Sequence, residues 1–102
     1  MNDETRFLSL LGLAARAREL VTGEELVLKD IRKNTVEIVL LSSDVSQGTK
    51  KKVMDKCTFY HIPVYETYPR EVIGRAIGKE ERVVIGVKSK GFAKKLVALL
   101  SE

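Results

Sequence analysis

Residues 21–34, VTGEELVLKDIRKN, put a glycine after a short β-rich run and follow it with acids and then three cations, Lys29, Arg32 and Lys33. A strand that turns through Gly23 into a helix leaves backbone N–H groups unpaired at the positive end of the helix dipole, a place for phosphate or another acceptor. The plainer reading is that Gly23 only makes the turn, since lone glycine-opened helices are common. Neither GxxxxGKS/T nor GxGxxG accompanies it, which speaks against a nucleotide-binding loop.

Glu25, Lys29 and Lys33 stand at successive i, i+4 positions with Arg32 close by, so they project from one side of the helix. An exposed ion-pair ladder is one reading, and each such pair contributes only about 0.3–0.5 kcal/mol. The sharper reading is a surface for nucleic acid. Lys donates to purine N7 or O6, and a carboxylate accepts from an exocyclic base amine, so a mouth of mixed sign at Glu24 and Glu25 suits base edges better than phosphates.

Other constellations carry less. TKKKVMDK sets Lys50, Lys51, Lys52 and Lys56 on a helix whose other face is apolar, where a solvated face is the default. Cys57 and His61 have no third orienting group for nucleophilic catalysis and cannot by themselves complete a four-ligand zinc site. Asp44 follows a strand end, where α/β proteins often place ligands, but a lone Asp capping the next helix is commoner. No carboxylate pair, metal cluster or Ser/His/Asp set stands out. The expectation is a protein that is not an enzyme, with no cofactor and no metal.

The chain that must position these residues has 102 of them, with 18 Lys and Arg against 14 Asp and Glu, a net charge of +4. That length predicts one domain over residues 1–102, and the mildly basic balance is compatible with a polyanionic partner. Aromatic residues are 6% and Trp is absent, so structured RNA fits better than loose single strands stacked on several rings. A single cysteine excludes an internal disulfide, and no secretory signal or bilayer-length apolar run is present, so a cytoplasmic protein with no membrane partner is expected.

Phe7, Leu10, Leu11, Ala14 and Ala17 recur at helical spacing behind Asp3, a candidate N-cap, and predict a helix over 4–18 with Arg16 and Arg18 at its end. A strand over 20–22, a helix from Gly23 through about Lys33 and a left-handed terminator at Asn34 follow. VEIVLL at 36–41 reads as a strand covered on both faces. Ser46 caps a third helix bearing Val53, Cys57 and Tyr60, and PVY at 63–65 is a brief strand. Thr67 and Pro69 start a fourth helix that ends at Gly78, RVVIGV at 82–87 is a second buried strand, and Ser89 caps a last helix. The alternation predicts an α/β fold, a three-layer α/β/α sandwich with a four-stranded mixed sheet.

Read together, VTGEELVLKDIR, VEIVLLSSD, DKCTFYHIPV and VIGRAIGKEERVVIGV resemble the kink-turn RNA-binding ribosomal protein family, from about Gly12 to Val87. The opening FLSLLGLAARARELVTGEE and the closing GFAKKLVALL are similar to its short bacterial YlxQ-type branch. The resemblance implies that Gly23 opens a helix entering the major groove at tandem sheared G·A pairs. It further implies that Lys29 is directed at guanine and that Lys33, with Arg32 and Arg82, meets phosphate. Archaeal members have Asn and Glu where this chain has Glu25 and Leu26. The family's second contact, a loop covering a flipped nucleotide, matches GRAIGKEERV, and Gly78, Lys79, Glu80, Glu81 and Arg82 make it a charged version. The implied partners are structured RNA, ribosomal or in a messenger leader, and ribosomal proteins. Two rivals remain, a protein-binding module on the same fold and, more weakly, a small-ligand binder at Asp44.

Overall fold

A computed structural model describes residues 2–101. Asn2, with extended backbone, accepts the Thr5 N–H at 2.8 Å and opens helix α1 (Asp3–Arg16). Asp3 is therefore not the cap; it is already helical, and its charge and that of Glu4 suit the positive end of the dipole. Arg18 is left-handed at φ 61° and lies beyond the helix end.

The remaining elements run β1 (Leu20–Thr22), α2 (Glu24–Arg32), β2 (Ile38–Leu41), α3 (Gln47–Tyr60), β3 (Val64–Glu66), α4 (Arg70–Ala76), β4 (Val84–Val87) and α5 (Lys90–Leu100). Ser46 and Ser89 cap α3 and α5 through their hydroxyls, and Asn34 is left-handed at φ 59°. The strands are shorter than their apolar runs because pairing decides where they end. Val36 and Glu37 precede β2, since the register against β4 begins with Ile38 opposite Val87. Pro63 has no N–H to give a ladder and precedes β3, offering only its carbonyl to Val39 N. Arg82 donates its N–H to the Arg70 carbonyl and stays outside β4. Helix α4 is likewise shorter than predicted: Pro69 is its cap and Ile77 closes it before Gly78.

The sheet order is β1-β4-β2-β3, with β2–β3 parallel and the other two pairings antiparallel, so the sheet is mixed. Side chains alternate across it. Val39, Leu41 and Val84 face Val27 and Ile31 of α2 and Val53 and Cys57 of α3. Ile38, Leu40, Ile85 and Val87 face Phe7 and Leu11 of α1, Ile73 of α4 and Leu96 of α5. Those two apolar layers make the three-layer sandwich. Each fully buried aliphatic side chain contributes about 1.5–3 kcal/mol, so the layers outweigh the surface ion pairs in holding α2 against the sheet.

Antiparallel pairing of β1 with β4 sets Thr22 opposite Ile85, and Gly23 N–H donates to the Val84 carbonyl at 3.0 Å. The glycine that opens α2 is thereby fastened beside the segment leading into β4. The two stretches that the sequence marks for binding meet through the sheet.

Candidate nucleic-acid interface

Gly23 occupies φ 97° and ψ 142°, a backbone region that side-chain-bearing residues rarely adopt, although a Cβ there would meet nothing within 4 Å. Conformation, not crowding, requires the glycine. No side chain caps α2, so the backbone donors of its first turn open toward the surface.

Glu24, the first residue of α2, turns toward α3. Its carboxylate accepts Thr49 Oγ1 at 3.0 Å and Lys52 Nζ at 2.7 Å. The Lys52 ammonium and then the Thr49 hydroxyl hold the Glu24 carboxyl below its ordinary range, and Lys52 is held correspondingly more basic. One of the two acids at the mouth is thus engaged within the protein.

Glu25, Lys29 and Arg32 line a shallow cleft of about 540 Å³ along the outer side of α2, with Leu28 at its base and Leu26 beside it. The ion-pair ladder, the plainer of the two readings of this helix side, does not form: Glu25, Lys29, Arg32 and Lys33 take part in no ion pair among the described residues. Lys33 is the C-cap residue, exposed at the far end of the helix and outside the cleft.

Gly23, Glu24, Glu81 and Arg82 share a different groove, of about 300 Å³, with Thr49 and Arg70. Arg82 crosses its rim, donating Nε to Thr22 Oγ1 at 3.2 Å and Nη1 to its neighbour's carbonyl, that of Glu81, at 2.7 Å. Arg70 also lines it, with Nε 3.3 Å from Asp44 Oδ1 and Nη1 3.9 Å from Glu81 Oε1. Asp44 is therefore a tether for Arg70. Lys79 lies apart, in a cleft of about 520 Å³ lined also by Arg16, Leu20, Thr22 and Ile77. Eight of the nine expected residues thus line three depressions, and Lys33 lies outside them.

Arg70, Thr49, Thr22 and Arg16 belong to these depressions without having stood out in the sequence. Arg82 reaches Thr22 across 60 positions and Thr49 reaches Glu24 across 25, and no local spacing encodes either meeting. Cys57 is buried, and burial pushes its thiol up to about 11, which suits a core side chain and not a nucleophile. Among the described residues no group of three His, Cys, Asp or Glu could hold a metal ion, and no helix is long and apolar enough to cross a membrane.

The model of the ribosomal protein L7Ae/L30e/S12e/Gadd45 family matches residues 5–97. The chain belongs to this family. Within it, the chain is 54% identical over 91 residues to the RNA-binding protein YlxQ of Bacillus subtilis (strain 168), covering 89% of this chain and 91% of that protein. It is 44% identical over 102 residues to the RNA-binding protein YlxQ of Enterococcus faecium, covering 98% of each. A solved structure of a protein of unknown function from Bacillus halodurans C superposes with a TM-score of 0.92 at 59% identity, over 94% of this chain and 97% of that one. The Giardia lamblia 15.5kD RNA binding protein superposes with a TM-score of 0.79 at 14% identity, over 99% and 88%, and so shares the family's fold. The family match takes in α1 through most of α5, and with it Gly23, the outer side of α2 and the 79–82 segment.

Proposed function

We propose that this family member is a non-enzymatic RNA-binding protein of the cytoplasm. Its residues 1–102 act as one domain that grips structured RNA with the mouth and outer side of α2 and with the segment before β4. The observation that carries the proposal is the pairing of an uncapped helix start at Gly23 with Lys29 and Arg32, cations along one cleft that have no ion-pair partner among the described residues. Two relatives bearing the name RNA-binding protein support it.

In this reading Lys29 meets a purine edge, Glu25 accepts from a base amine, and Arg32 and Lys33 meet phosphate. Glu24 holds the mouth of α2 in place through α3. The groove lined by Arg70 receives an extruded nucleotide, with Glu81 and Arg82 as its charged rim, and Lys79 reaches the backbone of the flanking stem. The RNA is ribosomal or a messenger leader with a kink-turn-like internal loop, and ribosomal proteins are its neighbours there.

The test is affinity at one fixed salt concentration for a kinked duplex with tandem sheared G·A pairs and for the same duplex fully Watson–Crick paired. Preference for the kinked duplex is expected. Leu26, 58% exposed beside Lys29, gives the rival protein-binding reading its one specific support. Absence of binding to either RNA, with recovery of an RNA-free protein complex, would establish that rival instead.

A further inference from the structure

Phe59 is 74% exposed, and the apolar side of its helix does not use it: α3 buries Val53 and Cys57. Lys52, Lys56 and Phe59 stand at i, i+4 and i+7, one stripe along α3. The bond from Lys52 to Glu24 shows which flank this is, the one bordering α2. A cleft of about 370 Å³ lined by Lys52, Asp55, Lys56 and Phe59 lies against the ring, and Tyr60 steadies the ring edge-on with centroids 5.0 Å apart.

The charges around the ring point to a polyanion. Lys56 here and Lys29 and Arg32 on α2 have no ion-pair partner among the described residues. Asp55, the acid in the cleft, is paired with Lys51 at 3.0 Å. A single exposed apolar side chain is ordinary on a protein surface. An aromatic face beside a free ammonium group, that of Lys56, is a different object, because a nucleotide offers both a π face to stack on the ring and a phosphate for the lysine. An apolar protein partner would want more apolar surface beside Phe59 than lysines and an aspartate provide.

We infer that Phe59, with Lys56 beside it, is a stacking platform for an unpaired nucleotide of the strand that leaves the stem held by α2. This rests on the RNA-binding reading above and extends the bound surface from α2 onto α3.

The test uses the full chain and a kinked G·A duplex in three forms: blunt, with a short unpaired adenosine extension at a 5′ end, and with one at a 3′ end. The chain should bind one of the extended forms about tenfold more tightly than the blunt form. Phe59→Ala should abolish that gain and leave blunt affinity unchanged, whereas Lys29→Ala should weaken all forms and keep the gain. Because the chain has no Trp, Phe59→Trp introduces a single indole, excited selectively over the tyrosines, whose emission should be quenched by the extended RNA and not by the blunt one. Tight binding without any gain from an extension, a gain that survives Phe59→Ala, or an unquenched Phe59→Trp overturns the platform alone. Failure of the unaltered chain to bind any form overturns the RNA-binding reading and the platform with it.

Discussion

Lys52 Nζ lies 2.7 Å from Glu24 Oε2, so the first residue of α2 is joined to α3 across 28 positions of sequence. Thr49 holds the other oxygen at 3.0 Å. Glu24, expected beside Gly23 as a ligand for RNA, has both carboxylate oxygens held by α3 and so forms a strut between the two helices. The mixed charge at the mouth of α2 divides accordingly: Glu24 faces inward along the protein surface, and Glu25 shares the outer cleft with Lys29.

Removing that strut should cost stability and position together. Glu24→Ala should lower stability by about 1 kcal/mol at neutral pH through the loss of the ionised carboxylate's bonds to Lys52 and Thr49. The folded-state carboxyl titrates below its ordinary 4.5, so the contribution is whole above that value and fades as pH falls through the lower folded one. Urea midpoints for the two proteins should therefore differ at neutral pH and converge on strong acidification. A difference that persists in acid would assign the effect to something other than the ionised carboxylate.

Gly74 governs the loop that carries Lys79, Glu81 and Arg82. A Cβ at Gly74 would stand 2.5 Å from Glu81 Cα and 2.8 Å from Glu81 N, both backbone atoms that no rotamer change can clear. Gly74→Ala should cost about 2 kcal/mol as an overpacked contact and should displace the rim of the groove. Gly78→Ala, which has open space but a φ of 79°, should cost about 1 kcal/mol through backbone strain and leave the rim in place. Among folded protein at equal concentration, the first variant should bind the kinked duplex more weakly than the second.

Lys29 and Lys33 should separate by the kind of loss they cause. A base-edge contact discriminates by about 1–3 kcal/mol, while a phosphate contact weakens all sequences alike and lowers the salt slope by about one unit. Lys29→Ala should shrink the gap between the kinked duplex and its paired control, and Lys33→Ala should keep the gap and flatten log affinity against log salt. Glu25→Gln, which leaves no ion pair broken, should bind as tightly or more so. Salt titrations of the three variants on both RNAs read all of these at once.

Neutralising Lys50 and Lys51 together should weaken binding less than Lys29→Ala does. Lys50 is paired with Glu66 on the side of α3 away from the stripe of Lys52, Lys56 and Phe59, and Lys51 is taken up by Asp55. Greater damage from the double variant than from the single one would move the binding surface to the other flank of α3.

The sequence by itself determined what depends on near neighbours. Apolar spacing and the Ser46 and Ser89 caps mark α3 and α5, Gly23 marks the opening of α2 and Asn34 its end, because each signal and the structure it makes lie within a turn or two of chain. The charges on the outer side of α2 are legible for the same reason: helical periodicity alone aligns Glu25, Lys29 and Arg32. Element ends were less legible. Asn2 and not Asp3 caps α1 because the cap is the residue whose backbone is still extended, and β2, β3 and β4 stop where a partner strand stops.

Only the tertiary structure decided which of the expected residues touch one another. Gly23 meets Val84 because β1 pairs with β4, Arg70 meets both Asp44 and Glu81 because α4 begins beside the exit of β2 and the entry to β4, and Glu24 meets Lys52 because α2 and α3 cover the same face of the sheet. Those contacts join residues up to 61 positions apart, from Gly23 to Val84. Their geometry follows from sheet order and layer packing, properties of the whole chain that no window of sequence contains.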